Sequence, residues 1–352
     1  MKVLSLFDGI SCGMVALERA GIPVERYVAY EIEENAIKIS KMNYPQIEHC
    51  GDVAKADFTQ YAGIDLLMGG SPCQSLSIVQ SKTRKNLDGK SKLFFEYVRA
   101  LEEAQPKYFL FENVASMNEE SKRVISDCLK CEPILINSNC FSAQDRPRLY
   151  WTNIPVETDS LQESSLCLRD ILEPAVDEKY FYKYPLTNID LSKQVCATMQ
   201  FNIHDMHKRI FNPAFKCHTL TAVSGGGQQK KVYINGRARK MTPLEYERAQ
   251  TLPDFYTDAG LSDGARYTAI GNGWTVDVIA YILRGINNGK EKTICDIIAD
   301  LINSYKLARN LCVASGECAQ CEYKRFGTNC DLAIMAKNLY EQGYRKQCEQ
   351  IQ

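Results

Sequence analysis

The chain has 352 residues, 45% of them hydrophobic, enough for one large core and a smaller lobe. Its formal net charge of −1 excludes a global field that would draw it onto nucleic acid, so any such contact must come from local basic patches. Its 15 cysteines lack disulfide-scaffold spacing, which fits a reducing cytosol; no apolar run reaches the ~18 residues of a membrane span; and Asp8 and Gly9 interrupt the start, which is therefore not a signal peptide.

In chain order, residues 2–7 (KVLSLF) predict a strand and 13–20 a helix. A second strand covers 27–30 and a second helix 33–42. The third strand, 64–68, ends in Gly69-Gly70. A helix over 93–104, a strand over 108–112, a helix around 122–131 and strands at 134–137 and 148–152 follow. Such alternation implies βαβ units and a parallel sheet. Ligands of these sheets bind at the carboxyl ends of the strands. The alternation stops near Pro155. Residues 156–238, which include SGGGQQKK at 224–231, read as an inserted second lobe. Regular structure returns with a helix over 242–250, Pro243 in its first turn, and a turn at 270 leading into a helix that reaches 283. The chain thus divides into a core at 1–155, the lobe at 156–238, a return to the core at 239–290 and a helical, cysteine-containing extension at 291–352.

Several strand ends carry groups suited to a nucleotide-like cofactor. Phe7-Asp8-Gly9-Ile10-Ser11-Cys12-Gly13 joins the first strand to its helix, and glycines there let backbone approach a ligand. They are equally ordinary turn chemistry. The second strand ends at Glu31, a position suited to a ribose hydroxyl pair; the plain alternative is a solvated carboxylate at a helix start. Gly51-Asp52-Val53 offers Asp52 to an adenine amino group. Gly69-Gly70-Ser71-Pro72-Cys73-Gln74 brings a thiol to the same edge, where its thiolate would be nucleophilic. A lone cysteine is as readily an inert core residue. The fourth strand delivers Glu112-Asn113-Val114 to this edge. Gln144-Asp145-Arg146-Pro147-Arg148 offers two arginines whose i, i+2 spacing on extended backbone directs both to one face.

FDGISCG, Glu31, GDV, GGSPCQ, FENV, QDRPR, TPLEYERAQTLPD and IGNGWTV stand in the order and spacing of the cytosine-C5 DNA methyltransferase family, which the sequence resembles over residues 1–285. VLSLFDGI, GGSPCQSLSIV, LFFE and GNGW are most similar to the catalytic domain of the mammalian de novo DNA methyltransferases, here in a compact bacterial or phage-like form. The resemblance implies an α/β fold: a Rossmann-like S-adenosylmethionine-dependent methyltransferase sheet with an inserted target-recognition lobe. It implies double-stranded DNA as partner, a monomer or weak dimer, and a cytoplasmic setting. A cytosine would be flipped from the duplex. Cys73 would add to its C6, Glu112 would hold N3 and the exocyclic amine, and Arg146 and Arg148 would bind the base carbonyl and a flanking phosphate. Around the cofactor, Phe7 would stack on adenine, and Gly9, Cys12 and Gly13 would line the methionine. Glu31 and Ile32 would take the ribose and base face, and Asp52 and Val53 the adenine edge. Pro72 and Leu93 would lie nearby, with Asn272, Gly273 and Trp274 closing the site.

Lys82, Arg84, Lys85, Lys90 and Lys92, set against one acid, Asp88, would close over DNA phosphates, with Val79 entering the duplex. In the lobe, Thr219, Thr221, Lys230 and Lys231 are the expected DNA contacts, and Arg237, Arg239 and Lys240 would meet the backbone. Ser5 stands where many relatives carry an acid, and LTAVSGGG replaces a TTRSNS-type loop, so the recognised sequence does not follow. Cys312, Cys318, Cys321 and Cys330 have thiols enough for zinc. Because Cys318 and Cys321 alone form a tight pair, small buried hydrophobes in a helical cap are the favoured reading and a metal the lesser one. Of the alternatives, the first shares the active-site residues. A tRNA cytosine-C5 methyltransferase would carry a reduced lobe and a Cys-Phe-Thr element, which this chain lacks. An inactive DNA-binding homologue would have lost one of Cys73, Glu112, Arg146 and Arg148. An NAD-dependent dehydrogenase would leave that set without a purpose.

Overall fold

The computed structural model describes residues 1–71, 92–200, 202–223 and 227–287. The first elements are β1 (Lys2–Leu6), α1 (Cys12–Arg19), β2 (Arg26–Tyr30), α2 (Glu34–Asn43), β3 (Glu48–His49), β4 (Leu66–Gly69), α3 (Lys92–Ala104), β5 (Tyr108–Val114), α4 (Glu119–Leu129), β6 (Ile134–Asn137), β7 (Gln144–Asp145) and β8 (Pro147–Thr152). The main sheet runs β3-β2-β1-β4-β5-β8-β6. Its first five strands are parallel, and β8 lies antiparallel to β5 and β6.

Both faces of this sheet are covered, which is why its strands read as continuous apolar runs. Alternate residues enter two cores. Val3, Leu66, Met68 and Leu110 meet α1, together with a helix from the far end of the chain. Leu4, Leu6, Leu67 and Phe111 meet α3 and α4 on the other face. Strand order reverses between β1 and β4. The carboxyl ends of those two strands therefore open the crevice in which such sheets bind ligands.

The lobe contains β9 (Leu186–Thr187), β10 (Val195–Met199), α5 (Asp205–Lys208), β11 (Arg209–Phe211), β12 (Cys217–His218), β13 (Lys231–Ile234) and β14 (Arg237–Lys240). Five of these strands form a second sheet, β14-β13-β11-β10-β9. The sequence predicts no regular pattern here, because strands of two to five residues are too short to display a period. β12 leaves that sheet and pairs with β7, Cys217 against Gln144 and His218 against Asp145. This pairing fastens the lobe to the segment that carries the paired arginines.

The return to the core comprises α6 (Pro243–Ala249), α7 (Asp263–Asn272) and α8 (Val276–Arg284). Thr242 and Glu245 form a capping box at α6. The turn expected at 270 falls three residues later, at Gly273-Trp274-Thr275, and leads into α8 as expected; α7, which ends at Asn272, is a helix not anticipated from the sequence. α8 packs on α1 in the first core. Residues 1–286 form one compact unit and 287–352 fall outside it. Cys312, Cys318, Cys321 and Cys330 lie outside the described residues. Among the described residues no cluster of metal-ligating side chains occurs, and no helix is long and apolar enough to cross a membrane.

Candidate active site

β4 and β5 end side by side, Gly69 in register with Phe111. The next residue on β5, Glu112, turns its carboxylate into the crevice. Arg148, opposite on the β5–β8 ladder side, places Nε 2.9 Å from Glu112 Oε1, and both side chains are nearly buried. Trp274 Nε1 donates to the other oxygen, Oε2, at 3.1 Å. These groups converge over Gly70, where a Cβ would sit 2.8 Å from Glu112 Oε2 and 3.4 Å from Trp274 Nε1. A side chain at Gly70 would displace the carboxylate. Asn113 Nδ2 donates to Ser71 O (3.3 Å), tying the end of β5 to the chain just before Pro72 and Cys73. Ser71 Oγ is buried and has no hydrogen-bond partner among the described residues. Pro72, Cys73, Val79, Lys82, Arg84, Lys85 and Lys90 lie outside those residues, and so does the side chain of Lys92.

Arg146 departs from its expected place. It falls between β7 and β8, which pair with different partners, so the i, i+2 alternation breaks at it. Its side chain is buried and gives every hydrogen bond to main-chain carbonyls: Leu220 O (2.6 Å), Gly271 O (3.1 Å) and Gly273 O (3.0 Å). Burial, reinforced by repulsion from Arg148, lowers its guanidinium to about 10, which leaves it charged at neutral pH. Gln250 Nε2 joins it on Gly273 O (3.1 Å) and also donates to Ile270 O (3.0 Å). Thr275 donates to Gln250 Oε1 (2.7 Å), and Ser138 to Thr275 (2.9 Å). Gln144 bonds Gln250, the Ala249 carbonyl and the Leu220 N–H. This buried knot binds the turns at 220, 250 and 273 to one another. In this structure Arg146 builds the frame, and Arg148 faces Glu112.

The cofactor side is assembled at the ends of β1, β2 and β3. Glu31 accepts the N–H groups of Gly9 (2.8 Å), Ile32 (2.7 Å) and Glu33 (2.9 Å), which ties the β1 and β2 turns together. Gly9 has φ +60°, and its missing side chain faces open space. Phe7 and Leu93 lie partly exposed at the rim of one core. Ile32 is 67% exposed, an apolar side chain left at a strand end where a flat ring could cover it. Asp52 is half-buried and caps Ala54 N–H. Asn272 is exposed at the end of α7.

Three members of the expected cofactor set point elsewhere. Val53 buries its side chain in the core. Gly13 is where α1 crosses the sheet, since a Cβ would lie 2.6 Å from Met68. The Cys12 thiol is buried against Gly273; desolvation pushes it up to about 12, partly offset by the Trp274 backbone N–H. None of these three burial patterns is visible in a sequence.

Beside the paired arginines a cleft of about 320 Å³ opens between core and lobe, lined by Asp145, Arg209, His218, Thr219, Thr221 and Lys230 among others. Thr219 donates to Asp145 O (2.7 Å). Gln194 Nε2 donates to Asp145 Oδ2 (2.9 Å) and Lys216 O (3.0 Å), so its carbonyl oxygen faces His218 Nε2 at 3.2 Å. That leaves His218 Nδ1 toward Arg209 Nη1, 3.5 Å away. Sequence reasoning passed over Arg209 and His218; the place of His218 directly before Thr219-Leu220-Thr221 was the available signal. Lys231 differs from expectation. It is fully buried and donates to the carbonyls of His207 (2.7 Å), Gly227 (2.5 Å) and Gln229 (3.0 Å). Desolvation lowers it to about 8. Arg239 is likewise buried, in a two-pronged pair with Glu245 (2.8 and 2.6 Å).

A doubly wound sheet with an acid and an arginine at the carboxyl end of β5, and with an inserted β lobe, is a Rossmann-like frame of the kind found in solved methyltransferases. Within that class the chain belongs to the C-5 cytosine-specific DNA methylase family, matched over residues 1–288. It is 27% identical to the orphan methyltransferase M.SPRI of Bacillus phage SPR, over 84% of this chain and 75% of that one. It is 28% identical to the type II methyltransferase M1.ScrFI of Lactococcus lactis subsp. cremoris, over 83% and 79%. Its fold is similar to that of the Entamoeba histolytica methyltransferase EhMeth, with a TM-score of 0.64 and 18% identity over 83% of this chain and 99% of that one. The Dnmt2 methyltransferase of S. pombe is similar at a TM-score of 0.59 and 18% identity, over 82% and 99%. The family and the curated relatives fit the DNA reading; the tRNA alternative gains nothing from them.

Proposed function

We propose that this chain methylates C5 of a cytosine flipped from double-stranded DNA, with Cys73 as nucleophile. The observation that carries the reading is the Arg148–Glu112–Trp274 cluster at the end of β5, directly beside the chain that leads into Cys73. The cofactor crevice fits S-adenosylmethionine by its donor set: Glu31 for a hydroxyl pair, the open backbone at Gly9, and Phe7 and Ile32 for a ring. When bound, that group supplies an electrophilic methyl for C5 of the base.

The chain's own residues do the rest. Cys73 forms a bond to C6, which shifts electron density to C5. Glu112 accepts a hydrogen bond from the exocyclic amine and shares a proton with N3, which neutralises the negative charge that builds on the ring. Arg148 fixes the Glu112 carboxylate and offers its remaining N–H groups to the base carbonyl. After methylation C5 releases its hydrogen as a proton, the C6–sulfur bond breaks, and the Cys73 thiolate is restored. Thr219, Thr221, Lys230 and the cleft they line take the DNA backbone beside the flipped base. Phosphate contacts of this kind give salt-dependent affinity without sequence choice. The setting that suits these assignments is a bacterial or phage-encoded cytoplasmic enzyme, acting as a monomer or weak dimer.

Bisulfite sequencing of plasmid DNA from cells expressing the protein tests this, with Cys73→Ala as control. Protected cytosines confined to one short motif, and lost in the control, are the expected outcome. No protection from a soluble wild-type protein refutes the DNA reading.

A further inference from the structure

We infer that Trp274 is a positioning residue for the reaction: its indole N–H, not its ring face, is what the site uses, and it fixes the Glu112 carboxylate. The inference rests on the methyltransferase reading above and assigns Trp274 a task distinct from closing over the cofactor. A carboxylate on a strand end has free rotation about its last torsion unless both oxygens are held. Here Arg148 Nε holds Oε1 at 2.9 Å and Trp274 Nε1 holds Oε2 at 3.1 Å. Gly70 leaves the space in which Oε2 and Nε1 meet. The indole is itself immobilised by its main chain. Arg146 and Gln250 both donate to the carbonyl of the preceding Gly273, and the following Thr275 is locked to Gln250. The buried knot around Arg146 thus sets where Trp274 stands, and Trp274 sets where Glu112 points. A base amine entering the crevice meets a carboxylate already aimed, with lone pairs on each oxygen still available.

Trp274→Phe keeps an aromatic face and deletes the donor. With one of the two groups that orient the carboxylate gone, the variant should lose on the order of tenfold or more in kcat. KM for duplex DNA and the Kd for S-adenosylmethionine, read by calorimetry without turnover, should stay within about twofold. The chain has two tryptophans, so subtracting the Trp274→Phe spectrum from the wild type isolates the emission of Trp274. Glu112→Gln should shift that emission, because the indole donates to the altered group. In kinetics, Glu112→Gln combined with Trp274→Phe should be no slower than Glu112→Gln alone, since both act through one carboxylate. Unchanged kcat in Trp274→Phe, a weakened cofactor Kd, or fully additive losses in the double variant would each overturn the inference. The emission and binding measurements need no turnover, so they test the contact even if wild-type protein leaves DNA unmethylated, which would sink the methyltransferase reading instead.

Discussion

Arg146 and Arg148 are two residues apart and do different work. Arg146 donates to three main-chain carbonyls; Gly273 O keeps Gln250 Nε2 as a second donor, while Leu220 O and Gly271 O lose the bond, each at a cost on the order of 1–3 kcal/mol. Arg146→Ala should therefore lower the urea midpoint sharply or abolish soluble expression. Arg148→Ala should lower stability less than Arg146→Ala, because it strips one partner from a single nearly buried carboxylate that still keeps the Trp274 N–H, while methylation falls by on the order of a hundredfold. A pair of variants with equal stability loss would contradict this division. Gly70→Ala adds a single methyl group 2.8 Å from Glu112 Oε2. It should reduce kcat on the order of tenfold to a hundredfold with an unchanged thermal midpoint. The identities of Glu112 and Arg148 were legible in FENV and QDRPR. The task of Arg146 was not, because its acceptors at 220, 271 and 273 are sequence-distant and become neighbours only in the fold. Lys231 misled for a similar reason: a Lys-Lys pair reads as a basic patch until three carbonyls are found around one of the two.

Elements divide by length in how far the sequence discloses them. β1, β2, β4 and β5 carry unbroken apolar runs because both sheet faces are covered, and they were readable with their helices. β3, with two residues, and the short strands of the lobe carry too few positions for a pattern. α8 and the turn before it were readable, whereas α7 was not: it buries only Tyr267, Ile270 and Gly271, too thin an apolar stripe to display a helical period. The join between α7 and the lobe is tight: a Cβ at Gly271 would lie 2.4 Å from the Thr221 carbonyl carbon and 2.5 Å from Ala222 N. Backbone cannot give way as a side-chain tip can. Gly271→Ala should cost about 1–3 kcal/mol by urea unfolding, and it should also weaken DNA binding, because the displaced segment carries Thr221 to the cleft. Unaltered binding with lowered stability would separate that segment from DNA contact.

On the scale of the whole molecule, three histidines weigh against the fold between pH 7.5 and 5.5. Burial, as the largest cause in each case, holds His49, His207 and His218 below their ordinary value of 6.5. Each takes up a proton more readily unfolded than folded, so stability is lost as pH falls through 6.5 toward the lower native values. The thermal midpoint should drop between pH 7.5 and 5.5. His218→Gln should lessen that drop. A midpoint independent of pH over this window would mean that these side chains are hydrated in solution.

The distance in sequence between the partners of the site has a consequence for synthesis. Glu112 and Trp274 are 162 residues apart, and the carbonyls that Arg146 needs come from 220, 271 and 273. A ribosome that has released the sheet and the lobe has made a carboxylate without its indole and a guanidinium without two of its acceptors. Docking of α7 and α8 then supplies both in one event, along with the apolar surface that α8 lays against α1. The carboxylate and the guanidinium thus gain these partners only after the segment carrying α7 and α8 has been made.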